Sequence, residues 1–225
     1  MEIIFNTELN QAKLSFLNGS IIGILSNEYL EVTDRKKIGI LEEITVYSEE
    51  KVREFIIQEV KSSDFPCCDI EERIGKALKI AGLSDKILLK ALDQISSSEL
   101  KKIQLAIICV QNPKTIVVEF FEKALNKIER NNIKLLFKNL HKKYNKNIIV
   151  VTDNMEYLLD LTNKWYIFNE IFEEISLDDI FNNKLEANFV APKIIEMINY
   201  LNEQGIKIGK YIDVKDLLKA IYREV

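Results

Sequence analysis

Four short apolar runs divide the chain. Within each run the apolar residues are continuous and do not alternate with polar ones, which is typical of a strand covered on both faces of a parallel sheet. Amphipathic stretches separate several of the runs, and this order predicts an α/β fold with a largely parallel sheet. The predicted strands comprise residues 21–25, 115–118, 148–151 and 165–168.

Between and after these runs, apolar residues recur at intervals of three and four positions. That spacing places them along one face of a helix. Asp69 is positioned as the N-cap of one helix and Gly82 as its terminator, while Pro192 suits the first turn of another. The predicted helices span about residues 49–61, 70–81, 125–143, 192–205 and 214–223.

The domain organisation follows from a change of pattern near residue 185, after which only helical spacing continues. We expect residues 1–185 to form one α/β domain with a helical subregion at about 46–110, and residues 186–225 to form a C-terminal helical extension. The extension is too short to be stable as an independent domain.

Composition and charge narrow the class of protein. Apolar residues make up 47% of the chain and charged residues 29%, which is a globular balance and not that of a disordered segment. A formal charge of −4 provides no basic field, so we expect no nucleic-acid partner. No apolar run is long enough to span a bilayer, and the first residues lack a signal pattern. We therefore expect a cytoplasmic protein that reaches the inner face of the membrane only through a partner.

The cysteine and histidine content does not suit a metal site. The three cysteines (67, 68 and 109) show no Cys-x-x-Cys spacing, and His141 is the only histidine. In a reducing cytosol such cysteines are expected to be structural thiols. We predict no metal ligands.

An ordered series of motifs between residues 95 and 181 resembles the second half of an ATP-binding cassette (ABC). Residues 95–99 (Ile-Ser-Ser-Ser-Glu) occupy the place of the signature Leu-Ser-Gly-Gly-Gln or -Glu, and residues 119–126 follow a strand where the family has its Walker B motif and D-loop. Residues 152–155 (Thr-Asp-Asn-Met) correspond to Thr-His-Asp-Met, and residues 173–181 resemble the close of these domains, Glu-Glu-Gly-x-x-x-Glu-Ile-Phe.

Two further segments extend this resemblance. Residues 18–25 resemble the strand that leads to the P-loop, and residues 192–206 with the final helix are similar to the C-terminal extension of energy-coupling factor (ECF) transporter ATPases. The resemblance implies a truncated P-loop NTPase fold of the ABC type, closest to the ECF subgroup. It also implies a dimer, which in that family the extension helps to hold together.

The resemblance places the P-loop over residues 26–33, where the side chains do not suit phosphate. A P-loop needs glycines, a lysine for the phosphate charge and a hydroxyl for Mg²⁺. Here Val32 takes the place of the lysine, Glu28 and Glu31 add carboxylates, and only the hydroxyl of Thr33 matches. Two like charges about 4 Å apart repel by roughly 4 kcal/mol at an effective dielectric of 20. We therefore expect no resident cofactor and consider ATP with Mg²⁺ unsuited.

The hydrolytic positions differ from the family as well. Glu119 replaces the Walker B aspartate, Phe120 the catalytic glutamate and Asp153 the switch histidine, while Glu43 takes the Q-loop position. A positioned general base contributes about 10²–10⁴ in rate, and a phenylalanine cannot accept a proton. The short segment between the P-loop and Q-loop positions also removes a strand–helix unit, including the helix whose N-terminus receives phosphate. We therefore predict no catalytic residue and a pseudo-ATPase.

Three residues match the nucleotide-binding motifs and are the candidate binding residues: Thr33, Ser96 and Glu99. Each has a structural alternative. Ser-x-x-Glu before Leu100 is also a capping box at the start of a helix, and a single threonine such as Thr33 often caps a turn.

Three hypotheses about function remain. The first is a degenerate ABC or ECF subunit that does not hydrolyse ATP and acts in a complex with an intact ABC ATPase subunit, with a second copy of itself or with a membrane coupling protein. The second is a soluble interaction or regulatory protein outside transport. The third is a weak nucleotide binder with residual ATPase activity that uses Glu119.

Overall fold

The computed structural model describes residues 2–6, 11–33, 38–42, 48–65, 69–182 and 189–224. The strands are β1 Glu2–Asn6, β2 Gln11–Ser15, β3 Ile21–Leu25, β4 Glu31–Val32, β5 Ile38–Leu41, β6 Thr115–Glu119, β7 Asn147–Thr152, β8 Trp165–Asn169 and β9 Ile171–Ile175. The helices are α1 Val52–Ser62, α2 Ile70–Ile80, α3 Ser97–Gln111, α4 Lys127–Tyr144, α5 Met155–Leu159, α6 Leu177–Phe181, α7 Lys193–Glu203 and α8 Val214–Glu224. Short 3-10 turns lie at Asp85–Leu89, Leu92–Gln94 and Phe121–Ala124.

The larger sheet has six strands in the order β5-β6-β7-β3-β8-β9. Its first five strands are parallel, and only β9 runs antiparallel, against β8. Every residue of β3, β6 and β7 is buried, which is why these strands are apolar along most of their length. The predicted α/β fold with a largely parallel sheet is confirmed.

A second, antiparallel sheet with the order β2-β1-β4 covers one face of the larger sheet. Its strands alternate exposed and buried residues, and the buried ones share an apolar cluster with Ile24 and Phe168 of the larger sheet. The rings of Phe5 and Phe172 lie 5.4 Å apart and join the two sheets. The apolar pattern did not predict this sheet, because its strands alternate exposed and buried residues and lack the continuous apolar run that marks β3 and β7.

Helices cover the opposite face of the larger sheet. A β-carbon added to Gly39 of β5 would lie 2.6 Å from Pro113 and 2.7 Å from Ile108 of α3, so this glycine allows the strand and helix to approach closely. The C-terminal extension shares the same core: Ile195 of α7 and Leu217 of α8 are buried in it. The predicted domain boundary between residues 185 and 186 lies outside the described residues.

The predicted helices are present. Asp69 is the N-cap residue of α2, as predicted, but its backbone is left-handed (φ 57°) and its side chain makes no capping hydrogen bond to a described residue. Gly82 has φ +73° just after this helix and acts as the predicted terminator. Among the described residues, no helix combines the length and apolar character needed to cross a membrane.

Candidate functional site

The carboxyl ends of four parallel strands meet at one edge of the larger sheet, where open α/β sheets bind their ligands. Glu42 follows β5, Phe120 follows β6, Asp153 follows β7 and Ser26 follows β3. The nucleotide of the resembled family would lie at this edge, because the residues equated with its P-loop, Walker B and switch positions are found here.

The segment after β3 corrects the predicted P-loop alignment. The hydroxyl of Ser26 accepts a hydrogen bond from the Glu28 amide at 3.0 Å and donates one to the Glu28 carbonyl at 2.9 Å, which forms a tight turn. The chain then enters β4, where Val32 pairs with Phe5 of β1 and is 3% exposed. Val32 is therefore a core residue of the small sheet and not a residue of a phosphate-binding loop. Residues 26–33 contain the short strand β4 and no helix.

Thr33 lies at the end of β4 and bonds within the small sheet. Its hydroxyl donates to the side chain of Asn6 at 3.1 Å, and its amide donates to the Ile4 carbonyl at 3.0 Å. Its side chain therefore links the ends of β1 and β4. It is not brought together with the other two candidate binding residues.

Ser96 and Glu99 form the predicted capping box at the start of α3. The Glu99 amide donates to the Ser96 hydroxyl at 3.2 Å, and the Ser96 amide donates to the Glu99 carboxylate at 2.9 Å. The Lys90 ammonium lies 3.0 Å from the other carboxylate oxygen. The Ser96 amide, followed by the hydrogen bond from Lys90, holds the pKa of Glu99 below its usual value. Both signature residues thus have a local structural role.

Phe120 occupies the position of the catalytic glutamate, and its ring contacts other side chains of this chain. Its backbone is left-handed (φ 46°), and its amide donates to the Val151 carbonyl at 2.9 Å. The ring of Tyr29 meets the Phe120 ring edge to face at 4.7 Å. The ammonium of Lys123 lies 4.3 Å from the centre of the Phe120 ring. The phenylalanine is 2% exposed.

Asp153, at the switch position, pairs with the same lysine. Its carboxylate lies 2.9 Å from the Lys123 ammonium, and both side chains are partly exposed. Tyr29, Phe120, Lys123 and Asp153 therefore form one connected group, which we call the Phe120 cluster. It links the segment after β3 to the turn after β6 and the end of β7.

Glu122 is a buried carboxyl beside this cluster that sequence reasoning missed. It is 2% exposed, and it accepts a hydrogen bond from the Thr152 hydroxyl at the end of β7. Burial raises the pKa of Glu122, and the hydrogen bond from Thr152 opposes that shift. Its second oxygen has no hydrogen-bond partner among the described residues. A glutamate in a charged turn usually indicates an exposed residue, so only the proximity of Thr152 could reveal this one.

The described residues at this edge do not fit a nucleotide held in the cassette manner. No helix begins in residues 26–33, so the N-terminal amides that would face phosphate are not present there. The lysine of the Phe120 cluster is already paired with Asp153. Glu42 brings a carboxylate to this edge, and an ionised carboxylate only accepts hydrogen bonds, so it cannot bind phosphate oxygens.

Comparison with known proteins gives relatives of low identity. No model of a protein family matches the chain. The ECF transporter ATP-binding protein EcfA2 of Clostridium acetobutylicum is 25% identical over 186 residues, which is 79% of this chain and 65% of that protein. EcfA2 of Clostridium tetani is 26% identical over 200 residues (82% and 69%). The methionine import ATP-binding protein MetN of Streptococcus mutans is 24% identical over 186 residues (81% and 52%). The chain thus spans less than two thirds of the first of these relatives and about half of MetN.

Solved structures of the cassette fold are similar to most of the chain. The structure of cbiO1 from Clostridium perfringens, part of the ABC transporter complex cbiONQ, matches with a TM-score of 0.63 and 15% identity, covering 90% of this chain and 94% of that one. The ATP-binding cassette MJ0796, a dimer bound to ADP and Pi, matches with a TM-score of 0.60 and 14% identity (78% and 98%). The chain therefore has the ABC ATPase fold and is related in sequence to ECF transporter ATP-binding proteins, as the motifs predicted.

Proposed function

We propose that the chain is a cassette-type subunit of an ECF-like transporter that does not hydrolyse ATP and acts by binding a partner protein. The Phe120 cluster carries this proposal. At the sheet edge where a cassette would hold its nucleotide, Tyr29 and Lys123 contact the ring of Phe120, and Lys123 pairs with Asp153. The catalytic and switch positions are thus both held by contacts within the chain.

Loss of hydrolysis follows from the chemistry of these side chains. Phe120 has no atom that could take a proton from water, and the carboxylate of Asp153 is engaged with Lys123. Glu119 ends β6 and is 4% exposed, which leaves it little access to a metal ion in solvent. These features favour a pseudo-ATPase over the residual-ATPase hypothesis.

A partner protein is supported by the exposed apolar surface of the C-terminal extension. Large apolar side chains on α7 and α8 are 46–84% exposed, and such surfaces often mark protein contacts. They are Met197, Tyr200, Val214, Leu218 and Tyr222. The partner we favour is an intact ABC ATPase subunit or a membrane component of the transporter, with a second copy of the chain as the alternative. Such a contact would hold the chain at the inner face of the membrane.

Two measurements on the purified chain test this function. Isothermal titration with Mg²⁺ and ATP is expected to show no binding at micromolar concentrations, and Phe120→Glu is expected to gain no ATPase activity, because residues 26–33 still contain no phosphate-binding helix. Micromolar ATP affinity that Thr33→Ala abolishes would instead support residual ATPase activity.

Co-expression tests the partner. The chain is expected to co-purify with an intact cassette subunit or with a membrane component. A monomer that captures neither, at physiological concentration, would contradict the proposal and favour an interaction protein outside transport.

A further inference from the structure

Two buried oxygen atoms beside the Phe120 cluster point to a ligand. One is the Oε2 atom of Glu122, in the turn after β6, and the other is the hydroxyl oxygen of Tyr157, in α5. Neither has a hydrogen-bond partner among the described residues, and the two residues are only 2% and 4% exposed. Buried polar groups are normally hydrogen-bonded. Each oxygen therefore calls for a partner that the described side chains do not supply.

The two oxygens belong to one small site. Burial raises the pKa of Tyr157, and the charge of Glu122 raises that pKa further, so the two groups are close enough to interact. The phenol therefore keeps its proton at neutral pH and can donate a hydrogen bond. No hydrogen bond joins it directly to Glu122. A small molecule that accepts from the phenol and donates to the carboxyl would satisfy both groups.

The cations that α4 brings to this site have other partners. The Lys134 ammonium lies 2.7 Å from the Asp160 carboxylate and 4.6 Å from the centre of the Tyr157 ring. Arg130 donates through its Nε to two backbone carbonyls of the turn after β6, both at 2.9 Å. These contacts hold the ring and the turn in place. Among the described residues, neither cation bonds to the two oxygens.

A chain of hydrogen bonds already links the same two residues by another route. The Tyr157 amide donates to the Asn154 side chain at 3.0 Å, and the Asn154 amide donates to the Thr152 hydroxyl, also at 3.0 Å. That hydroxyl in turn donates to the carboxyl of Glu122. A bridge from Glu122 to the phenol would close this chain into a ring that spans Asp153, the residue at the switch position.

Water suits the chemistry of this bridge, because one small molecule can accept and donate at once and buried waters typically satisfy such groups. We propose that one buried water molecule accepts a hydrogen bond from the Tyr157 hydroxyl and donates one to the Glu122 carboxyl. The closed ring fixes α5 and the end of β7 to the turn after β6, and so holds Asp153 beside Lys123. This inference goes beyond the proposed function and does not depend on a partner protein.

A high-resolution crystal structure of the chain tests the bridge directly. We expect density for one water about 2.5–3.0 Å from both oxygens. Direct contact between the two oxygens, a metal ion between them, or no ordered water there would each overturn the proposal. Tyr157→Phe removes the hydroxyl and keeps the ring beside Lys134, so its structure should lose this water. Glu122→Gln keeps polar atoms that can bond to water, so its structure should retain it.

Amide hydrogen exchange tests the ring in solution. Tyr157→Phe is expected to speed exchange of the Asn154 amide about fivefold, because a ring that lacks one buried hydrogen bond opens more easily. Tyr144→Phe removes the hydroxyl of a tyrosine that is 65% exposed, so this control should exchange like the wild type. Unchanged exchange in Tyr157→Phe, or equal acceleration in both variants, would overturn the proposal.

A double variant distinguishes a shared water from two separate losses. Glu122→Leu removes both carboxyl oxygens and should also speed exchange of the Asn154 amide. Adding Tyr157→Phe to Glu122→Leu should then have little further effect, because the bridge is already broken. Multiplication of the two single accelerations would show that Glu122 and Tyr157 do not share a ligand, and would overturn the proposal.

Discussion

The ammonium of Lys123 lies 2.9 Å from the carboxylate of Asp153 and so bridges the ends of β6 and β7. In the resembled family these two positions belong to the D-loop and to the switch. Here the same lysine also lies 4.3 Å from the centre of the Phe120 ring. The Lys123 ammonium therefore contacts both Phe120 and Asp153, the positions of the catalytic glutamate and the switch histidine in a cassette. All of these contacts are made within the one chain.

Removing the Lys123 ammonium should modestly lower the free energy of unfolding and should not change any activity. Lys123→Ala loses a partly exposed ion pair, worth about 0.2–1 kcal/mol, and a cation–π contact, worth about 0.5–1 kcal/mol. We expect the free energy of unfolding in urea to fall by about 1–2 kcal/mol. Lys127→Ala, at an exposed lysine just beyond the same turn, is the control and should change it by less than about 0.5 kcal/mol. Equal effects would show that the contacts of Lys123 do not stabilise the turn.

The side chain of Val32 tests the corrected alignment of residues 26–33. Val32→Lys would restore the consensus lysine of a P-loop, but it would place an unpaired charge in the core between the sheets, where Val32 is 3% exposed. We expect a loss of about 3 kcal/mol or more in unfolding free energy and no gain of ATP binding.

The neighbouring residue provides the control for this substitution. Glu31 is on the same short strand but is exposed, so Glu31→Lys should be nearly neutral in the same measurement. If Val32→Lys were as stable as Glu31→Lys and bound ATP, the strand assignment of β4 would be wrong.

The fold was predictable where apolar character is continuous, and the site was not. Strands β3, β6 and β7 are buried on both faces, so their sequences indicate a parallel sheet without knowledge of their neighbours. Val32 becomes a strand residue only by pairing with Phe5, and Glu122 becomes buried only beside Thr152. Both facts depend on contacts between distant parts of the chain, which the local pattern does not contain. Alignment with the P-loop motif therefore assigned Val32 to a phosphate-binding loop, whereas it lies in β4.

The capping role of Ser96 predicts a clear effect on stability. Its hydroxyl accepts a hydrogen bond from the Glu99 amide at 3.2 Å, so Ser96→Ala leaves an N-terminal amide of α3 without that partner. We expect a loss of about 1 kcal/mol in the free energy of unfolding. Ser97→Ala, at the next exposed serine, should be neutral, because Ser97 is in the first turn and not at the cap. A neutral Ser96→Ala would argue against the capping role.

The buried carboxyl of Glu122 predicts a pH dependence of stability. Because burial raises its pKa above the ordinary value of 4.5, the folded state holds this proton more tightly than the unfolded state. Stability therefore falls as the pH rises from about 4.5 through the raised pKa, and the cost persists at higher pH. Glu122→Gln removes this cost, so its stability relative to the wild type should increase as the pH rises above about 4.5.

Glu99→Gln provides a control of opposite sign. The pKa of Glu99 is lowered, so its charged form stabilises the fold, and this contribution is present at neutral pH and lost as the pH falls. Urea unfolding at several pH values should show the two glutamine variants diverging from the wild type in opposite directions. The same trend for both would contradict the assigned environment of Glu122.

Two glycines with different surroundings predict opposite results from the same substitution. In Gly39→Ala the new methyl group would meet Pro113 at 2.6 Å and Ile108 at 2.7 Å, and a close-packed contact between β5 and α3 has no room for it. Overpacking of this kind costs about 1–3 kcal/mol. A methyl group added to Gly75, within α2, would meet no neighbouring side chain of the described residues within 4 Å, so Gly75→Ala should gain about 0.5–1 kcal/mol from helix propensity.

Thermal unfolding of both variants checks this pair. A stabilising Gly39→Ala would mean that β5 and α3 are not in close contact in solution.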